Sequence, residues 1–346
     1  MHYSLKPLNE QVIVITGASS GIGLATARAA AARGARVVLS SRNAEALEEA
    51  CRNIQAGGRQ AIRVVADVGR REEVENIAEA AIGQFGGFDT WVNNAGVSIY
   101  GRLEEITEED ARRLFDTNFW GVVSGSLVAA AHLKSRGGAI INVGSELSDL
   151  ALPMQGMYSA SKHAVKGFTD ALRMELQQDK APISMTLIKP AGIDTRYPEH
   201  AKNYTSKELT LPPPVYAPEE VAHAILFAAE HAKRDIFVGS GSKLMSSMNA
   251  RMPAVTDWLN RRFTSGMQFR DRPARHREGA LQAAGEDGHV QGNYAGHVMK
   301  SSLYTRASLH PVVTAAALTV AGVAIAALLA GNGAPRRGRE HLQHLH

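Results

Sequence analysis

The residues of this sequence best suited to moving a proton are a phenol and an amine four positions apart, Tyr158 and Lys162 in YSASK. On a helix that spacing puts both on one face, so the ammonium stands near the phenol. A free phenol, with a pKa of about 10, is a poor base at neutral pH. A neighbouring cation stabilises the phenolate and draws its pKa toward the working range. Two further polar residues belong with this pair. Ser145 follows the apolar run AIINV, where the carboxyl end of a strand faces a ligand crevice, and Asn118 lies between two helical runs. Taken alone, a Tyr and a Lys at this spacing are a surface helix pair; Ser145 and Asn118 point instead to acid–base chemistry at a substrate oxygen.

A second group of residues is suited to holding a nucleotide. TGASSGIG, residues 16–23, joins an apolar run directly to a helical stretch. Gly17 permits the tight turn, Gly21 lets the backbone approach a pyrophosphate, and Gly23 lets the helix pack against the strand. Ser19, Ser20 and Ile22 complete a loop whose free N–H groups favour phosphate at the helix start. The next strand ends at Ser41 and Arg42. An acid there would accept the ribose 2′-hydroxyl of NAD, whereas Arg accommodates a 2′-phosphate, so NADP is the expected cofactor with NAD the alternative. Arg42 also fits the solvated start of a helix. Asp67 and Val68 suit an adenine amino group and ring, and Asp67 equally suits a helix cap. Asn94, Ala95 and Gly96, in NNAG, put small residues where backbone passes a cofactor.

These residues need a frame, and the apolar pattern supplies one. From residue 11 to about 241, the runs VIVIT, RVVLS, AIRVVA, TWVNN, AIINV, SMTLI and DIFVG alternate with helical stretches near 21–33, 43–56, 70–85, 107–135, 156–178 and 217–231. Strands apolar on both faces and alternating with helices predict a doubly wound parallel sheet, with ligands at the strands' carboxyl ends. The composition agrees. With 45% apolar and 21% charged residues among 346, the chain is long enough for a sizeable core and is not disordered or collagen-like. A net charge of +4 is too small to indicate nucleic acid. A single cysteine, Cys51, allows no internal disulfide and fits a reducing compartment.

The motifs in this order resemble the short-chain dehydrogenase/reductase family over roughly residues 8–241. TGASSGIG is similar to its cofactor loop, NNAG to its sheet-stabilising motif, and Asn118, Ser145, Tyr158 and Lys162 to its catalytic tetrad. The resemblance implies a seven-stranded Rossmann-like sheet and reversible alcohol oxidation or carbonyl reduction, with no metal. It implies that Tyr158 is the general acid or base and that Ser145 holds the substrate oxygen. Lys162 then tunes Tyr158 and binds the nicotinamide ribose, while Asn118 anchors a relay water. Pro190, Gly192, Ile193 and Thr195 resemble the segment touching the nicotinamide amide, although the usual Pro-Gly is here Pro190-Ala191-Gly192. Apolar residues flanking the tetrad, among them Leu147, Leu150, Leu152, Met154 and Met157, suit either a hydrophobic substrate or core packing.

The chain divides by composition into a dinucleotide-binding catalytic part over 1–242, an extension over 243–311, a hydrophobic helix over 312–330 and a basic tail over 331–346. In the extension, Met252, Val255, Leu259 and Phe263 with Arg261 and Arg262 suit a membrane surface or a helix packed on the catalytic part. Residues 312–330 carry no charge in nineteen positions. As a helix they would reach about 28 Å, against ~30 Å of bilayer hydrocarbon. The expectation is a membrane anchor with the catalytic part in the cytoplasm; a soluble protein with a buried or pairing helix is the alternative. Ala317, Ala321, Gly322 and Ala326 suit close helix pairing, and a homo-oligomer is expected. A nucleotide-sensing membrane scaffold with vestigial catalysis is the competing function, and the intact tetrad argues against it.

Overall fold

Short β-branched runs between amphipathic helices can bury both faces only as a covered parallel sheet, and the chain folds that way. The computed structural model describes residues 4–311, 314–316 and 319. Seven strands form the sheet: β1 (Val12–Thr16), β2 (Arg36–Ser41), β3 (Ala61–Val65), β4 (Thr90–Asn93), β5 (Gly138–Val143), β6 (Ile183–Pro190) and β7 (Asp235–Val238). Their order is β3-β2-β1-β4-β5-β6-β7, all parallel. Every residue of β1, β4, β5 and β6 is buried. The order reverses between β1 and β4, and a ligand crevice opens at that switch point.

Helices α1 (Gly21–Ala32), α2 (Ala44–Ala56) and α3 (Arg71–Phe85) connect the first strands. Then follow α4 (Glu108–Phe115), α5 (Gly121–Leu133), α6 (Gly156–Gln178) and α7 (Pro218–Glu230). The face carrying α3, α5 and α6 packs Val74, Ile77, Ala129, Leu133, Leu172 and Leu176 on Val12, Val14, Trp91 and Ile140. The helical stretch expected over 107–135 is interrupted by a π-helical turn at Asp116–Trp120, and Asn118 sits in it. Such turns re-aim side chains within a helix.

The centre of the sheet is tied by buried amides as well as by apolar contact. Asn93 Nδ2 donates to Asn142 Oδ1 at 2.8 Å and to Ser126 Oγ at 3.0 Å, and Asn142 Nδ2 donates to Thr169 Oγ1 at 2.9 Å. Strands β4 and β5 are thereby joined to α5 and α6.

The change of composition at 243 falls inside one compact unit, which runs to Thr305; residues from Arg306 form a second. Helices α8 (Ser240–Arg251) and α9 (Pro253–Leu259) turn their polar residues inward: Asn249 Nδ2 donates to the Asp149 carbonyl, and Thr256 is fully buried. Their apolar side chains Met252, Val255 and Trp258 face outward, with Phe263 beyond them. Strand Phe269–Pro273 pairs with Lys207–Leu209, and Val298–Met299 with Val215–Tyr216. Among the described residues no helix is long and apolar enough to cross a membrane. The expected helix over 312–330 lies, apart from 314–316 and 319, outside the described residues.

Candidate active site

The catalytic candidates meet beyond the carboxyl ends of β4, β5 and β6, placed there by three different elements. Ser145 follows β5 and caps the short helical turn Glu146–Ser148, its Oγ accepting from the Leu147 amide at 3.1 Å. Tyr158 and Lys162 lie in the first turns of α6, both buried. Lys162 Nζ donates to the Val143 carbonyl at 2.9 Å and stands 5.6 Å from the Tyr158 ring centre. Asn118 accepts from the Val97 amide at 2.8 Å and donates to the Val97 carbonyl and Ser161 Oγ. Its side chain thus fixes the backbone at Val97, in the segment that follows β4.

The electrostatics depart from the sequence expectation. Burial pushes the Tyr158 phenol up to about 12, against hydrogen bonding with Ser145 and Tyr197 that pulls it down, and the Glu146 carboxylate pushes the same way as burial. Burial also brings Lys162 down to about 8, because a desolvated ammonium gives up its proton more readily. In this geometry desolvation outweighs the help expected from the cation. The phenol therefore holds its proton at neutral pH.

A nucleotide cradle adjoins this end. A Cβ built on Gly17, whose φ is +65°, would lie 2.8 Å from Ala95 Cα, and one on Gly23 would lie 2.1 Å from the Gly17 carbonyl oxygen. Asn94 ties the two motifs together, its Nδ2 donating to the Thr16 carbonyl at 2.9 Å and to that of Gly17 at 3.2 Å. One cavity runs past Gly17, Ser19, Ser20, Gly21 and Ile22 to Ser41, Arg42, Asp67 and Val68 at one end. At its other end lie Ala95, Gly96, Ser145, Tyr158, Lys162, Pro190, Gly192, Ile193 and Thr195, with Asn94 between. Gly23 and Asn118 support this wall from behind. A cavity joining a side-chain-free loop to a buried Tyr and Lys has the chemistry to take an extended dinucleotide.

At the outer end Asp67 pairs with Arg113 at 2.6 Å and accepts from the Gly69 amide. Burial works against its charge, but the Arg113 hydrogen bond and charge hold it below the usual carboxylate range. Asp67 is not the cap of α3, whose N-cap is Arg70. Arg42 donates to the carbonyls of Ala280, Leu281 (3.2 Å) and Gln282 (3.3 Å), which use three of its five N–H donors.

Two site residues have no role legible in the sequence. Tyr197 Oη lies 2.7 Å from Ser98 Oγ and donates to Gln155 Oε1 at 2.8 Å, and its ring meets that of Tyr158 edge-on at 5.5 Å. Tyr197 opens the one-turn helix Tyr197–His200, and no periodicity links that turn to α6, far earlier in the chain. Glu146, next to Ser145, lines the cavity, and burial pushes its carboxyl up to about 7. Of the apolar residues expected as walls, Leu147 and Leu152 line the cavity, while Leu150 packs behind them with Val97 and Leu281.

A doubly wound sheet with a glycine cradle and a Ser–Tyr–Lys constellation at its switch point defines a nucleotide-dependent oxidoreductase. Residues 11–205 match the family model described as short chain dehydrogenase. The chain is 49% identical over 323 residues to the oxidoreductase YxnA of Bacillus subtilis, covering 92% of this chain and 90% of the relative. It is 31% identical over 263 residues to 11-beta-hydroxysteroid dehydrogenase A of Sesamum indicum, covering 72% and 74%. An alcohol dehydrogenase from Thermococcus sibiricus, solved with 5-hydroxy-NADP, superposes with a TM-score of 0.59 at 26% identity, covering 66% of this chain and 95% of its own. The chain belongs to the short-chain dehydrogenase/reductase family and is an NAD(P)-dependent oxidoreductase.

The raised Glu146 pKa makes a stability prediction. Below its ordinary value of 4.5 the carboxyl is protonated in folded and unfolded chains alike, so Glu146→Gln changes little at pH 4. Between 4.5 and about 7 only the unfolded chain ionises, so the native enzyme loses stability that the Gln variant keeps. Thermal melts are expected to coincide at pH 4 and to favour the variant at pH 8; coincidence at both would show that the carboxyl is solvated.

Proposed function

We propose that this chain is an NADP-preferring oxidoreductase that interconverts a hydrophobic alcohol and its ketone, of lipid, steroid or retinoid type, with Tyr158 the acid or base. The observation that carries this reading is the gathering of Ser145, Tyr158 and Lys162 at one end of a cavity whose other end holds Arg42. In reduction the Tyr158 hydroxyl, kept protonated by burial, donates to the substrate oxygen as charge develops there, and in oxidation it takes the proton back. The Ser145 hydroxyl holds that oxygen within reach. A bound nicotinamide supplies or accepts the hydride. The Lys162 ammonium, oriented by the Val143 carbonyl, suits the nicotinamide ribose, and Gly96 admits it. Gly17, Ser19, Ser20, Gly21 and Ile22 would line the pyrophosphate's seat, the Gly21 amide itself being engaged by the His289 carbonyl, and Pro190, Gly192, Ile193 and Thr195 the amide end.

The substrate class rests on Val97, Leu147, Leu152, Ile193 and Leu211, apolar residues along the inner cavity. Ser98, Gln155 and Tyr197 add a polar margin suited to a second oxygen on an apolar body. The sesame relative bears the name of a hydroxysteroid enzyme, in keeping with such a substrate. NADP preference rests on Arg42, and the Thermococcus neighbour was solved with an NADP derivative. Attachment to a membrane is part of the proposal, with the catalytic part in the cytoplasm. It draws on the uncharged run 312–330 and on exposed Met252, Val255, Trp258 and Phe263 beside Arg261 and Arg262.

Three outcomes are expected. Tyr158→Phe binds cofactor as tightly as the native enzyme but turns over hydrophobic ketones or alcohols about 10²–10⁴-fold more slowly, as followed by nicotinamide absorbance; undiminished turnover would remove Tyr158 from the mechanism. Arg42→Ala weakens NADP binding about tenfold more than NAD binding in titrations, the scale of a lost charged hydrogen bond; an unchanged ratio would rule out a phosphate contact. In cell fractionation the full chain pellets with membranes, and removal of 312–346 releases it; a full chain in the soluble fraction would reject anchoring.

A further inference from the structure

Residues 279–294 lie across the nucleotide cavity and are fastened on both of its sides. Beside β2 the Arg42 guanidinium holds the carbonyls of 280–282, Arg113 Nε donates to the Leu281 carbonyl at 3.2 Å, and Asn43 Nδ2 to that of Gly285 at 3.2 Å. Leu281 is fully buried in the apolar cluster that includes Tyr158. In the middle the segment pairs with the glycine loop: the Gly288 amide donates to the Ser19 carbonyl, and the Gly21 amide to the His289 carbonyl, each at 2.9 Å. At the far side the Gly292 amide donates to the Asp194 carbonyl at 3.1 Å, and the Tyr294 amide to Asp194 Oδ1 at 3.3 Å. Ala280, Ala284, Gly285 and Asp287 line the same cavity as Gly17 and Lys162.

We propose that residues 279–294 are a strap that closes over the bound nicotinamide nucleotide and sets the rate at which it leaves. The seat of the nucleotide is bounded by the glycine loop on one side and by Tyr158 and Thr195 on the other. The strap joins both walls, so its fastenings on at least one side must break before the nucleotide can depart. Most of those fastenings use main-chain groups of the strap. Removing a single strap side chain leaves these main-chain fastenings in place, whereas a side chain added where the strap touches the wall forces it away.

Two glycines offer that opportunity. A Cβ on Gly292 would lie 2.3 Å from the Thr195 carbonyl oxygen, and one on Gly279, whose φ is +58°, would lie 2.5 Å from the His200 carbonyl oxygen. Backbone atoms cannot yield to such contacts, so Gly292→Val and Gly279→Val should lift opposite ends of the strap. The inference rests on the cavity being the nucleotide site. Stopped-flow displacement of NADPH, followed by its fluorescence, is expected to show release at least tenfold faster from either variant than from the native chain. In the native chain, amide hydrogen exchange across 279–294 should slow when NADPH is added. Native-rate release from variants that keep the native thermal transition would overturn the strap alone. If neither variant folds, the exchange measurement decides: unchanged exchange with NADPH bound overturns it. A chain that takes up neither NADPH nor NADH overturns strap and functional reading together.

Discussion

A parallel sheet buried on both faces leaves few places for polar chemistry, and that constraint organises this molecule. Strands β1, β4, β5 and β6 have no exposed residue, so a reactive polar group cannot lie along them without losing its partners. Where Asn93 and Asn142 do interrupt the apolar interior, each is fully engaged by neighbouring amides and hydroxyls. Groups meant for a ligand are pushed to the carboxyl edge, where the strand order reverses and connecting segments diverge. The glycine loop, the NNAG turn, Ser145 and the Pro190–Thr195 segment all leave the sheet at that edge.

The same burial sets the chemistry. A phenol in water and a phenol in this cavity differ mainly in the cost of ionising, and here desolvation keeps Tyr158 protonated and makes Lys162 a weaker base for protons than a free amine. Hydrogen bonding with Ser145 and Tyr197 works in the opposite direction, so the acidity of the phenol reflects its polar neighbours as well as its burial. A substrate oxygen placed among the same groups would feel the same field, because preorganised donors in a dry site do not have to reorient as charge develops.

The extension adds to the part of the chain that the family model matches. Helices α8 and α9 bury Ser242, Ser246 and Thr256 while Leu244, Val255 and Trp258 stay exposed, and the segment after them returns to cover the nucleotide cavity. One appended stretch thus both presents an apolar surface and completes a binding wall. Arg42 illustrates the coupling: a residue at the end of the second strand is oriented by carbonyls some 240 positions later.

The seven strands, the main helices, the glycine cradle and the Ser145, Tyr158 and Lys162 constellation were legible in the sequence. Each is written in a local pattern: alternation of apolar runs, glycine at a required turn, or two side chains one helical turn apart. Asn118 between two helical runs was legible too, though not the π-helical turn that aims it. Tyr197, the engagement of Asp67 by Arg113, the high pKa of Tyr158 and the path of 279–294 were not. Those depend on which distant segments meet and on how much water they exclude. Spacing along the chain records neither, because contacts and desolvation exist only after the tertiary fold has formed.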